Sequence, residues 1–249
     1  MNDTVTGIIL KQTDYREADV ILSVLTREYG KLSFVAGGAR RMKSKNAGAI
    51  MPATIADIQF DYKPDKTMFR MKTARTVSLF RVLHEDLTLS AAASAACESA
   101  DLLCLNGDEE ESSEEKYELL KKCLTLLNEK KDPDLVLACW LGDMLEIFGI
   151  SPDVDECVLC GSTKVSAFSA KEGGFLCEDC ARSLQVPLRS ASDLKKLRLV
   201  VKGGLEHIDI IEKTGGNFRQ ELLDLCDVLH QHAGVQGKAF SFYHRLFDH

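Results

Sequence analysis

The chain has 249 residues, 45% of them hydrophobic and 28% charged, with a formal net charge of −7. That is enough chain for about two packed domains, and the balance excludes a disordered or fibrous protein. No apolar run approaches the roughly eighteen residues that cross a bilayer and no apolar segment opens the chain, so a cytoplasmic protein without a membrane partner is expected.

The charge is unevenly spread. Residues 1–80 carry thirteen Lys/Arg against eight Asp/Glu, a net of +5, leaving −12 for the other 169 residues. Such asymmetry points to nucleic-acid contact by the basic part. The same segment has the pattern of strands. Residues 5–11, 20–27, 31–37, 53–62 and 67–75 are short β-branched or aromatic runs, separated by turn signals at Asp14-Tyr15, Tyr29-Gly30 and Pro64-Asp65. Alternation places Ala56, Ile58, Phe60 and Tyr62, then Phe69 and Met71, on an inward face. Tyr15 and Phe34 take no side from the pattern, so either could stack on bases or fill the core. Five strands in so short a span predict an OB-like barrel, because closure removes exposed edges.

Between the third and fourth runs lies Gly37-Gly38-Ala39-Arg40-Arg41-Met42-Lys43-Ser44-Lys45, the densest basic stretch of the chain. Glycines let a backbone approach phosphate oxygens, and each cation can displace condensed counterions. A solvated surface loop is the plain alternative. The position on a barrel and the single sign of the run favour nucleic-acid contact.

From residue 84 the periodicity becomes helical, over 84–105, 114–130 and 133 to about 148, with an acidic linker at Gly107–Glu115 expected as a solvated loop. Pro133 suits a first helical turn and Gly149 a C-terminal cap. A later helix begins near Asp193, and a last one carries Phe218, Leu222, Leu225 and Leu229 on a core-facing stripe. His230 and His232 are two apart, do not share a helix face, and suit the negative end of the helix dipole.

The sharpest motif lies between these helices. Cys157-x2-Cys160 and Cys177-x2-Cys180 stand sixteen residues apart, the spacing of two turns that aim four thiolates at one tetrahedral zinc ion. Gly161 supplies a tight turn after the first pair and Gly173-Gly174 a reversal before the second. Disulfides fit poorly with nine cysteines and no secretory segment. A thioredoxin-like centre needs one such pair beside a βαβ unit, and a catalytic zinc keeps an open position. A closed structural site results, with Zn2+ as the one expected cofactor. Cys97, Cys104, Cys123, Cys139 and Cys226 sit at apolar helical positions and are expected as small buried hydrophobes.

Taken together, the chain resembles the RecO family of bacterial recombination mediators. The resemblance is carried by Thr6-Gly7-Ile8-Ile9-Leu10-Lys11, Asp14-Tyr15-Arg16-Glu17-Ala18-Asp19, Leu25-Thr26-Arg27-Glu28-Tyr29-Gly30-Lys31 and Gly38-Ala39-Arg40-Arg41-Met42-Lys43-Ser44, in order, and extends to the four-cysteine loop. It implies an α+β multi-domain architecture: an N-terminal OB-fold β-barrel at 1–80, then an α-helical domain at 81–249 with an inserted four-cysteine zinc-binding element at about 154–184. It implies a non-enzymatic protein that binds single- and double-stranded DNA, anneals complementary strands, and works with RecR to load RecA onto DNA coated with single-strand-binding protein. No small-molecule substrate is expected, and Gly37-Gly38 lacks the Gly-Lys-Ser/Thr that completes a P-loop. Candidate phosphate contacts are Lys11, Arg16, Arg27, Lys31, Arg40, Arg41, Lys43 and Lys45. The family's contact with the C-terminal tail of single-strand-binding protein has Lys121, Lys122, Lys130 and Lys131 as candidates. A zinc-ribbon adaptor that binds only protein, and a nucleic-acid-modifying enzyme with a structural zinc, are the competing readings.

Overall fold

In the computed structural model the described residues are 3–41, 46–63, 66, 68–105 and 110–247, with backbone alone for 110–112. Contacts divide the chain into two compact units. One comprises Met1–Lys130 with Gly237–His249, the other Lys131–Gln236. By packing, the helices from residue 81 to 130 therefore group with the first eighty residues.

The first unit is built on a six-stranded, OB-like sheet. Its strands are β1 (Asp3–Asp14), β2 (Val20–Thr26), β3 (Gly30–Ala36), β4 (Thr54–Phe60), β5 (Met68–Arg70) and β6 (Thr73–Leu79), in the order β5-β3-β2-β1-β4-β6. The run expected as one strand over 67–75 is two. Met71 and Lys72 turn the chain, so that β5 pairs parallel with β3 while β6 pairs antiparallel with β4. Met71 N–H donates to the Val35 carbonyl at 3.0 Å and Lys72 N–H to the Gln59 carbonyl at 2.8 Å. The two end strands of the sheet are thus consecutive in the chain, which closes the barrel covalently.

The interior follows the alternation. Val5, Ile9, Leu22, Val24, Leu32, Phe34, Ile58, Phe60 and Phe69 share one core cluster, with Phe34 and Phe69 both edge-on to Phe60. Phe34 is therefore core. Ile8, Leu10 and Leu25 are equally buried but lie outside that cluster. They sit on the other face of β1 and β2, against which α2 (Leu87–Leu103) and α3 (Glu110–Asn128) pack. Burial on both faces explains why Ile8-Ile9-Leu10 is continuously apolar rather than alternating.

Short α1 (Arg81–Glu85) leads into α2, whose N-terminus is capped by Asp86 accepting from Leu89 N–H at 2.9 Å. Part of the acidic stretch expected as a loop is the start of α3, at Glu110; residues 107–109 lie outside the described residues. The chain returns to this unit at the C-terminus through α9 (Lys238–Arg245), which buries Phe240 and Tyr243 and packs on α2.

The second unit holds α4 (Pro133–Ile147), the β7–β8 hairpin (Ala167–Ser169, Gly174–Leu176), α5 (Glu178–Ser183), α6 (Ala191–Gly203), α7 (Ile208–Glu212) and α8 (Arg219–Ala233). Asp132 caps α4, with Pro133 in its first turn, and α4 packs against α6, α7 and α8. The stripe Leu222, Leu225 and Leu229 of α8 is buried as its spacing requires. His230 and His232 are exposed in the last turn of that helix, and His232 Nε2 lies 2.7 Å from the Ala170 carbonyl.

Candidate nucleic-acid interface and four-cysteine centre

The tip of the β1–β2 hairpin and the segment after β3 are tied together. Gly38 N–H donates to the Asp19 carboxylate at 2.8 Å, Arg40 N–H donates to the Ala18 carbonyl at 3.0 Å, and Arg40 pairs with Asp14 at 3.1 Å. Gly38 has φ +66°, a left-handed conformation that glycine adopts without a Cβ penalty. The knot holds Arg16, Arg40 and Arg41 at one end of the barrel, all exposed.

Beside that knot lies a cleft of about 570 Å³, lined by Gly37, Lys63, Lys66, Phe69, Arg70 and Lys72 among others. Lys72 is held by Asp61 at 2.5 Å, which lowers the Asp61 pKa below the usual carboxylate range. An aromatic column adjoins the cleft through Phe69. Tyr62 stacks on Tyr29 at 5.0 Å and on Phe69 at 5.7 Å between centroids. Tyr62 was expected inward, yet it is 38% exposed, because β4 ends at Phe60 and the alternation no longer applies two residues later. The loops flanking this face, after β1 and after β4, are those with which OB folds hold oligonucleotides.

The sequence-derived phosphate contacts fall into three groups. Lys11, Arg16, Arg40 and Arg41 are exposed on the barrel. Arg27 and Lys31 are committed to helices of their own unit. Arg27 pairs with Glu114 at 2.5 Å, which raises its pKa. Lys31 Nζ donates to the Asp101 carbonyl at 2.5 Å and lies 3.5 Å from its carboxylate, with side chains 14% and 15% exposed. Lys43 and Lys45 lie outside the described residues. Lys63, Lys66, Arg70 and Lys72 were missed by sequence reasoning. They alternate with Asp61, Asp65 and apolar residues, so no run of one sign marks them. Of the lysines considered for a partner's tail, Lys121 pairs with Glu118 at 3.0 Å and Lys131 with Asp209 and Glu212 at 2.8 Å each, while Lys122 and Lys130 are exposed.

In the second unit, two turns bring Cys157, Cys160, Cys177 and Cys180 together, with all four Sγ atoms within 4.8 Å of one another. The first turn closes through Gly161 N–H donating to the Cys157 carbonyl at 2.8 Å, with Gly161 at φ +71°. The second is the first turn of α5, with Cys177 as its N-cap. Val158 N–H donates to the Phe175 carbonyl at 3.0 Å and so zips the first turn onto β8.

The donor set suits a tetrahedral ion. Bonds of 2.3 Å to sulfur set the S···S edge of a zinc tetrahedron at about 3.8 Å, and Cys160 and Cys177 stand 3.6 Å apart. Burial disfavours a Cys157 thiolate, but backbone hydrogen bonds around Cys177, Leu159 and Cys160 outweigh it and lower its pKa to about 6. Cys180 is pushed up to about 12 by its hydrogen bond to Cys177, by burial and by Cys157. Four thiols this close ionise together only around a cation. Cys97, Cys104, Cys123 and Cys139 are buried among apolar residues, as expected, and burial drives the Cys97 pKa to about 12.

Barrel and centre together define a class: OB-like proteins whose helical region carries a four-cysteine cluster able to hold a metal ion. Residues 1–80 match the family described as Recombination protein O N terminal, and residues 84–232 match Recombination protein O C terminal. A DNA repair protein RecO of Bacillus pumilus is 29% identical over 96% of this chain and 93% of its own length. Those of Halalkalibacterium halodurans and Listeria monocytogenes serovar 1/2a are 32% and 30% identical, over 70% and 84% of this chain and 67% and 82% of their own lengths. The chain belongs to the RecO family. Among the described residues no helix is long and apolar enough to cross a membrane.

Proposed function

We propose that this chain is a DNA-repair mediator that acts without chemistry of its own. It binds single- and double-stranded DNA on the barrel, anneals complementary strands, and with RecR helps RecA onto strands coated by single-strand-binding protein, in the cytoplasm at the nucleoid. The observation that carries this reading is the basic face of the OB-like barrel, where the Arg40-Arg41 knot adjoins the cleft of Lys63, Lys66 and Arg70. Cations on such a face neutralise phosphates of two strands at once, so annealing becomes a matter of screening and proximity. Lys11, Arg16, Arg40 and Arg41 are the exposed phosphate contacts, Arg40 exchanging its Asp14 pair for a phosphate, joined by Lys43 and Lys45 of the basic stretch. Arg27 and Lys31 serve the fold first. The four-cysteine centre holds one Zn2+ as a structural ion, and a partner's acidic tail docks at Lys122 and Lys130 rather than at the two lysines already ion-paired.

The test is a salt titration of single-strand binding. Arg40→Ala/Arg41→Ala removes two phosphate contacts, and the slope of log affinity against log salt flattens by about 1.4. An unchanged slope removes these residues from the interface. A wild-type protein that neither binds DNA at low salt nor speeds annealing of coated strands is instead a zinc-ribbon adaptor for proteins.

A further inference from the structure

We propose that Tyr15 is the base-stacking residue of the barrel and biases it toward single strands over duplex, an inference that rests on the DNA-binding reading above. Tyr15 lies at the tip of the β1–β2 hairpin and is 48% exposed as a residue. Its backbone is held in a closed turn, since Tyr15 and Arg16 N–H both donate to the Asp19 carbonyl, at 3.1 and 3.4 Å. The Arg16 guanidinium lies over one face of the ring at 5.0 Å from its centroid, while the residue as a whole stays about half exposed. A ring fixed in place and backed by a guanidinium is a stacking platform with a cation beside it.

Two comparisons single this ring out. Tyr62, another exposed aromatic of the barrel, already stacks on Tyr29 and Phe69. The charge of the tip is nearly balanced, because Asp14, Glu17 and Asp19 stand beside Arg16, Arg40 and Arg41. Two of those carboxylates are engaged, Asp14 by Arg40 and Asp19 by the Gly38 N–H. What the tip adds to the basic cleft is therefore a π face rather than net charge. A duplex keeps its bases stacked inside and offers that face nothing; a single strand can lay a base on it.

The experiment uses the full chain, with labelled oligo(dT) and a duplex of equal length. Tyr15→Ala weakens single-strand binding about tenfold, leaves duplex binding unchanged, and leaves the salt slope of both unchanged, because no phosphate contact is lost. Tyr15→Trp retains or tightens the single-strand affinity. Being exposed, the position tolerates both changes, which a thermal melt verifies. Equal losses on single strand and duplex, no loss on either, or a flattened salt slope each overturn the stacking role while the DNA-binding reading stands. A wild-type protein that binds neither ligand overturns both.

Discussion

Lys31 and Arg41 belong to the same barrel, yet their surroundings give them different work. Arg41 faces solvent, while Lys31 is nearly sealed against Asp101, which also accepts from the Ser23 hydroxyl at 2.5 Å. Removing the Lys31 ammonium leaves a mostly buried carboxylate without its cation. Lys31→Ala therefore destabilises the protein by about 1–3 kcal/mol and leaves the salt slope of DNA binding intact, the reverse of the Arg40/Arg41 pattern. Urea unfolding alongside the salt titration reads both. Gly174 is a second position where one atom decides. A Cβ there would stand 2.3 Å from the Asp153 carbonyl oxygen and 2.8 Å from a Val158 methyl. Gly174→Ala therefore pushes β8 away from the first cysteine turn, and metal retention during dialysis against a chelator falls. Retention equal to wild type would show that the turn and β8 move together.

At the scale of elements, the barrel and the helices against it are one packing problem. Ile8, Leu10 and Leu25 point out of the barrel and are buried by the helices. A fragment of residues 1–80 bares them, at about 1.5–3 kcal/mol each, and is expected to lack a cooperative melt although its interior core is complete. The C-terminus contributes through α9, whose N-terminus is capped across the fold by Glu98, with Ala239 N–H donating to the carboxylate at 2.6 Å. Glu98→Ala costs about 1 kcal/mol, measured by the same denaturation. These elements also mark what the sequence reveals. Strands β1 to β4 and helices α2, α3, α4 and α8 are legible because their apolar spacing is long enough to repeat. Helices α1, α5 and α7 have five or six residues, too few for a period to appear. The bend at Met71-Lys72 carries no glycine or proline to announce it. The cysteine centre is legible since its ligands are local, whereas Lys63, Lys66, Arg70 and Lys72 share a cleft with Gly37 that only the fold assembles.

At the scale of the whole molecule, the second unit is an insertion in the first: the chain leaves at Lys130 and resumes at Gly237. Within it, the four-cysteine element has little apolar core of its own. Its buried cluster is Cys157, Ala167, Leu176, Cys177 and Ala181, and two of those five are candidate ligands. Burying Leu176 contributes about 1.5–3 kcal/mol, against about 10–16 kcal/mol for a structural zinc ion in small peptides, so the proposed zinc ion would decide whether the element folds. Stripping the metal with a chelator and a mild acid pulse should expose the amides of residues 153–189 to rapid hydrogen exchange. The His232–Ala170 contact, and the Arg189 N–H that donates to Ser166 at 2.8 Å, should loosen with them. The barrel, whose core shares no residue with this cluster, should keep its protection, its single-strand affinity and its salt slope. Loss of protection across β1 to β4 on metal removal would mean instead that the inserted unit and its host fold as one cooperative body, and that the ion stabilises the barrel as well as its own loop.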